Sequence, residues 1–452
     1  MKNILIIGAG MAGFRAAHHF YKNNLKATIY EKNNYIGGHA ASFQKDGFIF
    51  DDGPHISFTK NERIRKLFHK SVNGAVEYSK AYVNNYWKGF WIKHPAQINL
   101  NGLPNKLMTN IISEFFEVSR INTNSSANYK EYLLETYGKT FSETFPLEYT
   151  KKYHTTEAEN LDIDWIGSRL YKPDLEEVIK GALSAKTEDK HYVTEFFYPV
   201  TGGFVRFFDQ FINNADLKYS HEVVKIDPVR KLIYFNNGRT RNYDYLISSV
   251  PLPELIPRIE GVPGNVLEAC QKLACTSCVM VNLGVSRRDI SKAHWTYFYD
   301  KEILFSRLSF PHLMSPGNVP ENCGSIQAEI YFSKKYKPLA KEPDDYIEPT
   351  IMNLKQCGIL KDNDEIIFKE ARLSPYANII FDLDRIPNLS VVHEYLKRID
   401  IKYCGRYAEW GYHWTDESFL SGEKAAIQVI EQLKAGKING KSSQSVARIK
   451  SV

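Results

Sequence analysis

The stretch that most constrains the fold is the N-terminal segment MKNILIIGAGMAGFRAAHHFYKNNLKATIYE. Asn3 to Ile7 is a continuous apolar run of strand length, Gly8-Ala9-Gly10-Met11-Ala12-Gly13 follows where a strand must turn into a helix, and Lys26 to Tyr30 reads as a second strand ending at Glu31. G-x-G-x-x-G in that setting predicts a bound dinucleotide, because each glycine has its own steric reason. Gly8 permits the tight turn, Gly10 lets backbone N–H groups approach a pyrophosphate with no Cβ in the way, and Gly13 lets the helix pack closely on the strand. The helix N-terminus then faces the phosphates with its positive dipole end. Glu31 stands where a carboxylate accepts both hydroxyls of an adenosine ribose and repels a 2′-phosphate, which disfavours NADP at this site.

At 452 residues the chain exceeds the usual size of one core, so two lobes or one elaborated fold are expected. Its 58 basic and 52 acidic residues leave a charge of +6, but Lys434, Lys437, Lys441, Arg448 and Lys450 contribute five of those charges from a stretch without acids. The body is therefore close to neutral, with no nucleic-acid footprint, and 436–452 reads as a disordered basic tail. No apolar run reaches the ~18 residues that a membrane span needs, and glycines at phosphate-loop spacing explain the segment after Lys2 better than a signal peptide does. Six irregularly spaced cysteines fit a reducing, cytoplasmic setting. Cys275-Thr276-Ser277-Cys278 has no second pair and no histidine partners, so buried thiols on a strand are expected and no metal site is.

Further along, Ala41 to Phe43 and Phe48 to Phe50 flank Asp46-Gly47 as a hairpin, and the turn-rich Asp51-Asp52-Gly53-Pro54-His55 follows it toward the far end of a bound ligand. Glu31 followed by Gly37-Gly38 resembles the FAD superfamily of amine oxidases, protoporphyrinogen oxidases, phytoene desaturases and UDP-galactopyranose mutases. There an acidic residue on the second strand precedes a Gly-Gly pair that packs against the FAD phosphates. This chain has His39-Ala40 where the oxidase branch usually places Arg or Lys. The run Phe145 to Tyr153, with Leu161, Trp165 and Arg169, resembles the mutase segment in which a Y-T-x-K tract precedes a Leu and an Arg that help hold substrate. Tyr153-His154 replaces the Trp-Gly of those mutases, which leaves the base open.

Thr201-Gly202-Gly203 resembles a Gly-Gly segment leading into the second part of the superfamily's FAD domain, and Val223 matches the residue whose backbone pairs with adenine. Gly405-Arg406 resembles the mutases, where the Arg meets the FAD pyrophosphate, whereas Ser421-Gly422-Glu423-Lys424-Ala425-Ala426 resembles the oxidases and desaturases. A capped helix beginning near Thr415 or Asp416 would set its N-terminus at the flavin's pyrimidine edge and stabilise the negative charge that reduction creates there.

The resemblance implies an α/β protein, with a Rossmann-like FAD-binding domain and an inserted α+β substrate domain. Segments 1–81, 191–275 and 385–435 would form the discontinuous FAD-binding domain, and 82–190 with 276–384 the substrate lobe. Non-covalent FAD is expected on Gly8, Gly10, Gly13, Glu31, Gly37, Gly38, Val223, Gly405, Arg406 and Asp416. His55 is expected near the flavin, with Arg169 and Arg307 gripping a diphosphate bidentately. Gly-Pro-His, Tyr149-Thr150-x-Lys152 with Arg169, and Gly405-Arg406 point to a reduced-flavin pyranose/furanose mutase acting on a nucleotide diphosphate sugar in surface polysaccharide synthesis, with NAD(P)H a candidate external reductant. The alternatives are an oxidoreductase of the amine oxidase, protoporphyrinogen oxidase or desaturase type, and a flavin-bearing scaffold. The sequence sets no oligomeric state.

Overall fold

The computed structural model describes residues 2–120, 126–190 and 192–449. The strand Ile4–Ile7 is buried along its whole length and lies at the centre of a five-stranded parallel sheet. Its order is Ile401–Tyr403, Tyr245–Ser248, Ile4–Ile7, Ala27–Tyr30, Asp216–Lys218. An unbroken apolar run is what a strand covered on both faces requires. The helix Met11–Lys22 makes the crossover between the first two strands, and the closing helix Thr415–Ile449 lies against it. That contact is made by backbone: a Cβ on Gly422 would stand 2.0 Å from the Ala12 carbonyl oxygen.

A mixed seven-stranded sheet forms the second lobe, in the order Ile366–Ser374, Thr276–Val285, Gly324–Ser333, Arg307–Ser309, Trp295–Phe298, Val83–Trp87, Phe90–Lys93. The two longest strands, Thr276–Val285 and Gly324–Ser333, pair antiparallel over their full length. Trp295–Phe298 runs parallel to Val83–Trp87, so two distant segments of the chain close one sheet. The aromatic stretch after Tyr82 supplies the edge hairpin, whose turn at Lys88-Gly89 takes positive φ at both residues. Beside the sheet, helices Asn105–Ser119, Tyr129–Tyr137, Lys139–Thr144, Pro146–Tyr153 and Leu175–Leu183 surround a core that includes Ile111, Phe115, Leu133, Phe141 and Phe145. The molecule is thus α/β, a Rossmann-like domain carrying an α+β lobe. Cys278 is a buried free thiol on its strand and Cys275 a half-buried one just before it; among the described residues no group of side chains could hold a metal ion.

Two features differ from or add to the sequence reading. Helical backbone continues to Ile449 through much of 436–452, where a disordered tail is the expectation; 450–452 lie outside the described residues. Once a helix exists, each further residue adds one hydrogen bond without a new nucleation step, and Gly436 and Gly440 do not interrupt it. No helix among the described residues is long and apolar enough to cross a membrane.

The second feature is an ion cluster that ties three helices together. Glu423 accepts from Arg15 Nη2 at 2.5 Å and from both terminal nitrogens of Arg63 at 2.7 and 2.6 Å. Burial pushes this carboxyl up, but the hydrogen bonds and charges of Arg63 and Arg15 outweigh it and hold the group at about 2. A carboxyl lowered on folding contributes stability that is present above its ordinary 4.5 and is lost as pH falls toward about 2. Glu423→Gln should therefore be less stable than wild type at neutral pH, and the difference in urea midpoint should close as pH drops through that window. A difference that stays constant down to the acid limit would exclude this role for the carboxylate.

Candidate active site

One cavity of about 560 Å³ extends from the glycine turn to the sheet of the second lobe. Gly8, Gly10, Glu31, Gly37, Gly38, Val223, Gly405 and Arg406 all line it. Gly8 has φ +100°, and a Cβ there would sit 2.3 Å from Ser249 Oγ, so the turn itself demands glycine. Gly13 lies off the cavity wall: its Cβ would be 2.0 Å from the Gly8 carbonyl oxygen, a packing constraint. Gly10 is different. Its Cβ would meet only the Gly37 carbonyl oxygen, at an ordinary 3.8 Å, so the protein by itself has room for a methyl group there. The space is a cradle beside the N-terminus of Met11–Lys22, a setting whose free N–H groups and positive dipole end suit an anionic group.

Glu31 accepts from Ala9 N at 2.8 Å through one oxygen and from Asn33 N at 2.9 Å through the other. Each oxygen retains a second lone pair for a ribose hydroxyl. Val223 is buried on the wall, next to an irregular register step in its hairpin. At the start of the closing helix Thr415 faces the cavity, whereas Asp416 is turned away, with Oδ2 accepting from Thr59 Oγ1 at 2.6 Å. Thr201-Gly202-Gly203 is also off the wall. Gly203 packs on Ser42 beside buried Asp51, which accepts from Ser42, Tyr198 and Phe204 N and is raised to about 6 by burial.

At the other end of the cavity, strand register sets Arg307 opposite Glu329. Arg307 donates to Glu329 through Nε and Nη2, both at 2.8 Å, and Tyr331 donates to the same carboxylate at 2.7 Å. The fork spends two of the three guanidinium nitrogens on a protein partner, and Nη1 has no hydrogen-bond partner among the described residues. Tyr153, Tyr297 and Tyr331 lie near this pair on the cavity wall, and Tyr412, also on the wall, meets Tyr153 Oη at 2.9 Å and carries the Arg406 guanidinium over its ring. Half-buried His55 is walled by His39 and Phe204, and its Nδ1 donates to the Gly53 carbonyl at 2.8 Å. Burial, reinforced by His39, lowers it to about 3, so the ring is neutral and Nε2 is an acceptor.

Arg169 is not on the cavity wall. It donates to the Tyr412 carbonyl at 2.6 Å and the Trp165 carbonyl at 3.2 Å, with its guanidinium over the rings of Tyr412 and Trp414. It supports Tyr412 from behind. Arg406 is on the wall and donates to Asn378 Oδ1 at 3.0 Å. Glu329 and Asn378 are absent from the sequence reading. The available signal for Glu329 was a carboxylate inside Gly324–Ser333, a strand whose every position is buried. Asn378 carried no such signal, since its setting arises only when the closing loop folds across it.

The parallel sheet, the glycine cradle and the acidic residue at the second strand end define a Rossmann-like dinucleotide-binding domain. Residues 6–71 match the family model of the NAD(P)-binding Rossmann-like domain. Over 85 residues, 19% of this chain, the sequence is 38% identical to 4,4′-diaponeurosporene oxygenase of Staphylococcus aureus, a match that spans only 15% of that protein's length. Reduced UDP-galactopyranose mutase has a similar structure, with TM-score 0.90, 24% identity and 96% of each chain covered. A redesigned putrescine oxidase also superposes, with TM-score 0.63, 13% identity, and 95% of this chain and 99% of that one covered. These likenesses show a shared fold.

Proposed function

We propose that the protein is a FAD-dependent enzyme that isomerises a nucleotide diphosphate sugar between pyranose and furanose forms on reduced flavin. The observation that carries the reading is the composition of the cavity's far half: Arg307 with one nitrogen uncommitted among the described residues, four tyrosine rings, and Arg406. We now assign Arg406 to the substrate rather than to the FAD pyrophosphate, because it acts on the same Tyr153 as Arg307. Such a wall suits a ligand rich in hydroxyl and phosphate oxygens. Similarity to reduced UDP-galactopyranose mutase over almost the whole chain supports it. On this reading 1–81, 191–275 and 385–435 hold the cofactor, and 82–190 with 276–384 the substrate. Surface polysaccharide synthesis in the cytoplasm, with NAD(P)H as reductant, is the setting we propose.

Bound reduced flavin would supply a nucleophile that retains the sugar while its ring opens and recloses, with no net electron transfer. The residues of the chain do the holding. Gly10 and the helix N-terminus seat the pyrophosphate of FAD, and Glu31 its ribose. Arg307, kept in place by Glu329, binds the substrate diphosphate through Nη1. Neutral His55 offers Nε2 to a hydroxyl or N–H proton near the flavin, and the closing helix directs its positive end at charge developing there.

Arg307→Ala should weaken binding of the best ligand among UDP, dTDP, CDP and GDP by roughly 2–5 kcal/mol, the range for breaking a buried charge pair, while the flavin spectrum is unchanged. Arg169→Ala, which acts behind Tyr412, should shift it less than about tenfold. Calorimetric titration of the FAD-loaded variants reads both, and equal losses would contradict the separate placement of the two arginines. A second reading, a hydride-removing oxidoreductase, is favoured by the 38% identical segment of 4,4′-diaponeurosporene oxygenase. It requires an electron acceptor consumed in step with product.

A further inference from the structure

Asn378 is 7% exposed and is held at both levels of its structure. Its backbone exchanges hydrogen bonds with Thr276, the Asn378 N–H reaching Thr276 Oγ1 at 2.9 Å and its carbonyl accepting from Thr276 N at 2.7 Å. The side chain meets Arg406 Nη2 at 3.0 Å and Tyr153 Oη at 3.0 Å through the same atom. Arginine is only ever a donor, so the amide atom facing it must be the oxygen. Tyr153 then also donates to Oδ1, and Tyr412 Oη, 2.9 Å from Tyr153 Oη, donates to Tyr153 in turn. The chain of bonds leaves no freedom to flip the amide.

The consequence concerns Nδ2. It has no protein acceptor among the described residues, and it is not one of the polar atoms sealed without a partner in the interior. Asn378, Tyr153, Arg406 and Tyr412 all line the main cavity, so Nδ2 opens onto it as a fixed donor. Arg307 Nη1 and Arg406 lend the same wall positive potential, while Glu329 is neutralised by Arg307 and already accepts from Tyr331.

We propose that Asn378 is a specificity-determining residue whose Nδ2–H group donates to an anionic oxygen of the substrate, and this rests on the reading of the cavity as a nucleotide diphosphate site. A carboxylate ligand oxygen or a phosphate oxygen satisfies the geometry equally; the diphosphate is the group the neighbouring arginines favour.

Two variants separate this role from a merely structural one. Asn378→Asp keeps an oxygen for Arg406 and Tyr153 but turns the cavity-facing donor into a negative acceptor. Asn378→Ala removes the donor and also both accepted bonds. In the FAD-loaded protein, dissociation constants for UDP, dTDP, CDP and GDP are measured, with uridine as the uncharged control. For the nucleotide that wild type binds most tightly, the affinity order should be wild type, then Ala, then Asp, with losses of roughly tenfold and more than 100-fold. Uridine should be indifferent to both. A structural role predicts the reverse, with Asp harmless and Ala damaging, and that order overturns the proposal while leaving the diphosphate reading intact. If wild type binds none of the nucleotides, the diphosphate reading fails and this proposal fails with it.

Discussion

Gly10→Ala should give a protein that folds as wild type does and purifies without flavin. A Cβ at position 10 has only the Gly37 carbonyl oxygen near it, at 3.8 Å, and Gly10 does not adopt positive φ, so the change meets no steric objection from the protein. The methyl group instead fills the cradle beside the N-terminus of Met11–Lys22, where, on the proposed function, backbone N–H groups reach the pyrophosphate. Displacing that group by even part of a methyl radius forfeits its hydrogen bonds, and we expect FAD affinity to drop on the order of 100-fold or more, about 3 kcal/mol. Circular dichroism and urea midpoint should match wild type while absorbance near the flavin bands is lost. A yellow Gly10→Ala protein of native affinity would remove the assignment of the cradle.

Gly13→Ala should do the opposite: it should cost the fold. Only three residues further on, a Cβ would lie 2.0 Å from the Gly8 carbonyl oxygen and 3.2 Å from its carbonyl carbon, both backbone atoms of the phosphate loop. Neither can swing aside as a side chain could, because the Gly8 N–H is bonded to the Tyr30 carbonyl within the parallel sheet. The helix must move off the strand, and the closing helix packed on Ala12 moves with it. Overpacking against backbone is expected to exceed about 3 kcal/mol, a large share of the stability of most folded chains. The readout is the urea midpoint, with or without added FAD. A Gly13→Ala protein as stable as wild type would mean that the helix is not packed against the turn as the structure has it.

The contrast between these two glycines shows what the sequence could and could not say. Strand, turn, helix and second strand at the N-terminus were legible because local pattern determines them: an apolar run, then glycines, then helical spacing. Which glycine serves the ligand and which the packing is also an expectation of the motif, and the neighbours of each supply the physical reason. The second lobe was legible only as strands and helices. Its sheet depends on Val83–Trp87 lying parallel to Trp295–Phe298, and no local signal marks a pairing made across so much intervening chain.

The same limit governs the polar site. Arg307 is identifiable as a charged residue on a strand, but its fork with Glu329 is a cross-strand fact. Arg169 stands where the mutase-like segment places a substrate arginine, yet the stacking rings of Tyr412 and Trp414 draw it behind the wall. Asn378 acquires meaning only from Arg406, which fixes its amide. Side chains that depend on a partner distant in sequence stayed hidden, whereas those defined by backbone conformation did not.

The central claim is that flavin here acts without net redox change, and anaerobic turnover tests it most directly. Dithionite-reduced enzyme, freed of excess reductant, is mixed with UDP-, dTDP-, CDP- and GDP-sugars, and ring isomers of equal mass are separated by chromatography. The account predicts that one of these sugars is converted to its isomer over many turnovers while the flavin stays reduced and no acceptor is consumed. Product that appears only in proportion to an added electron acceptor, or no isomer from any of the nucleotide sugars, would contradict it.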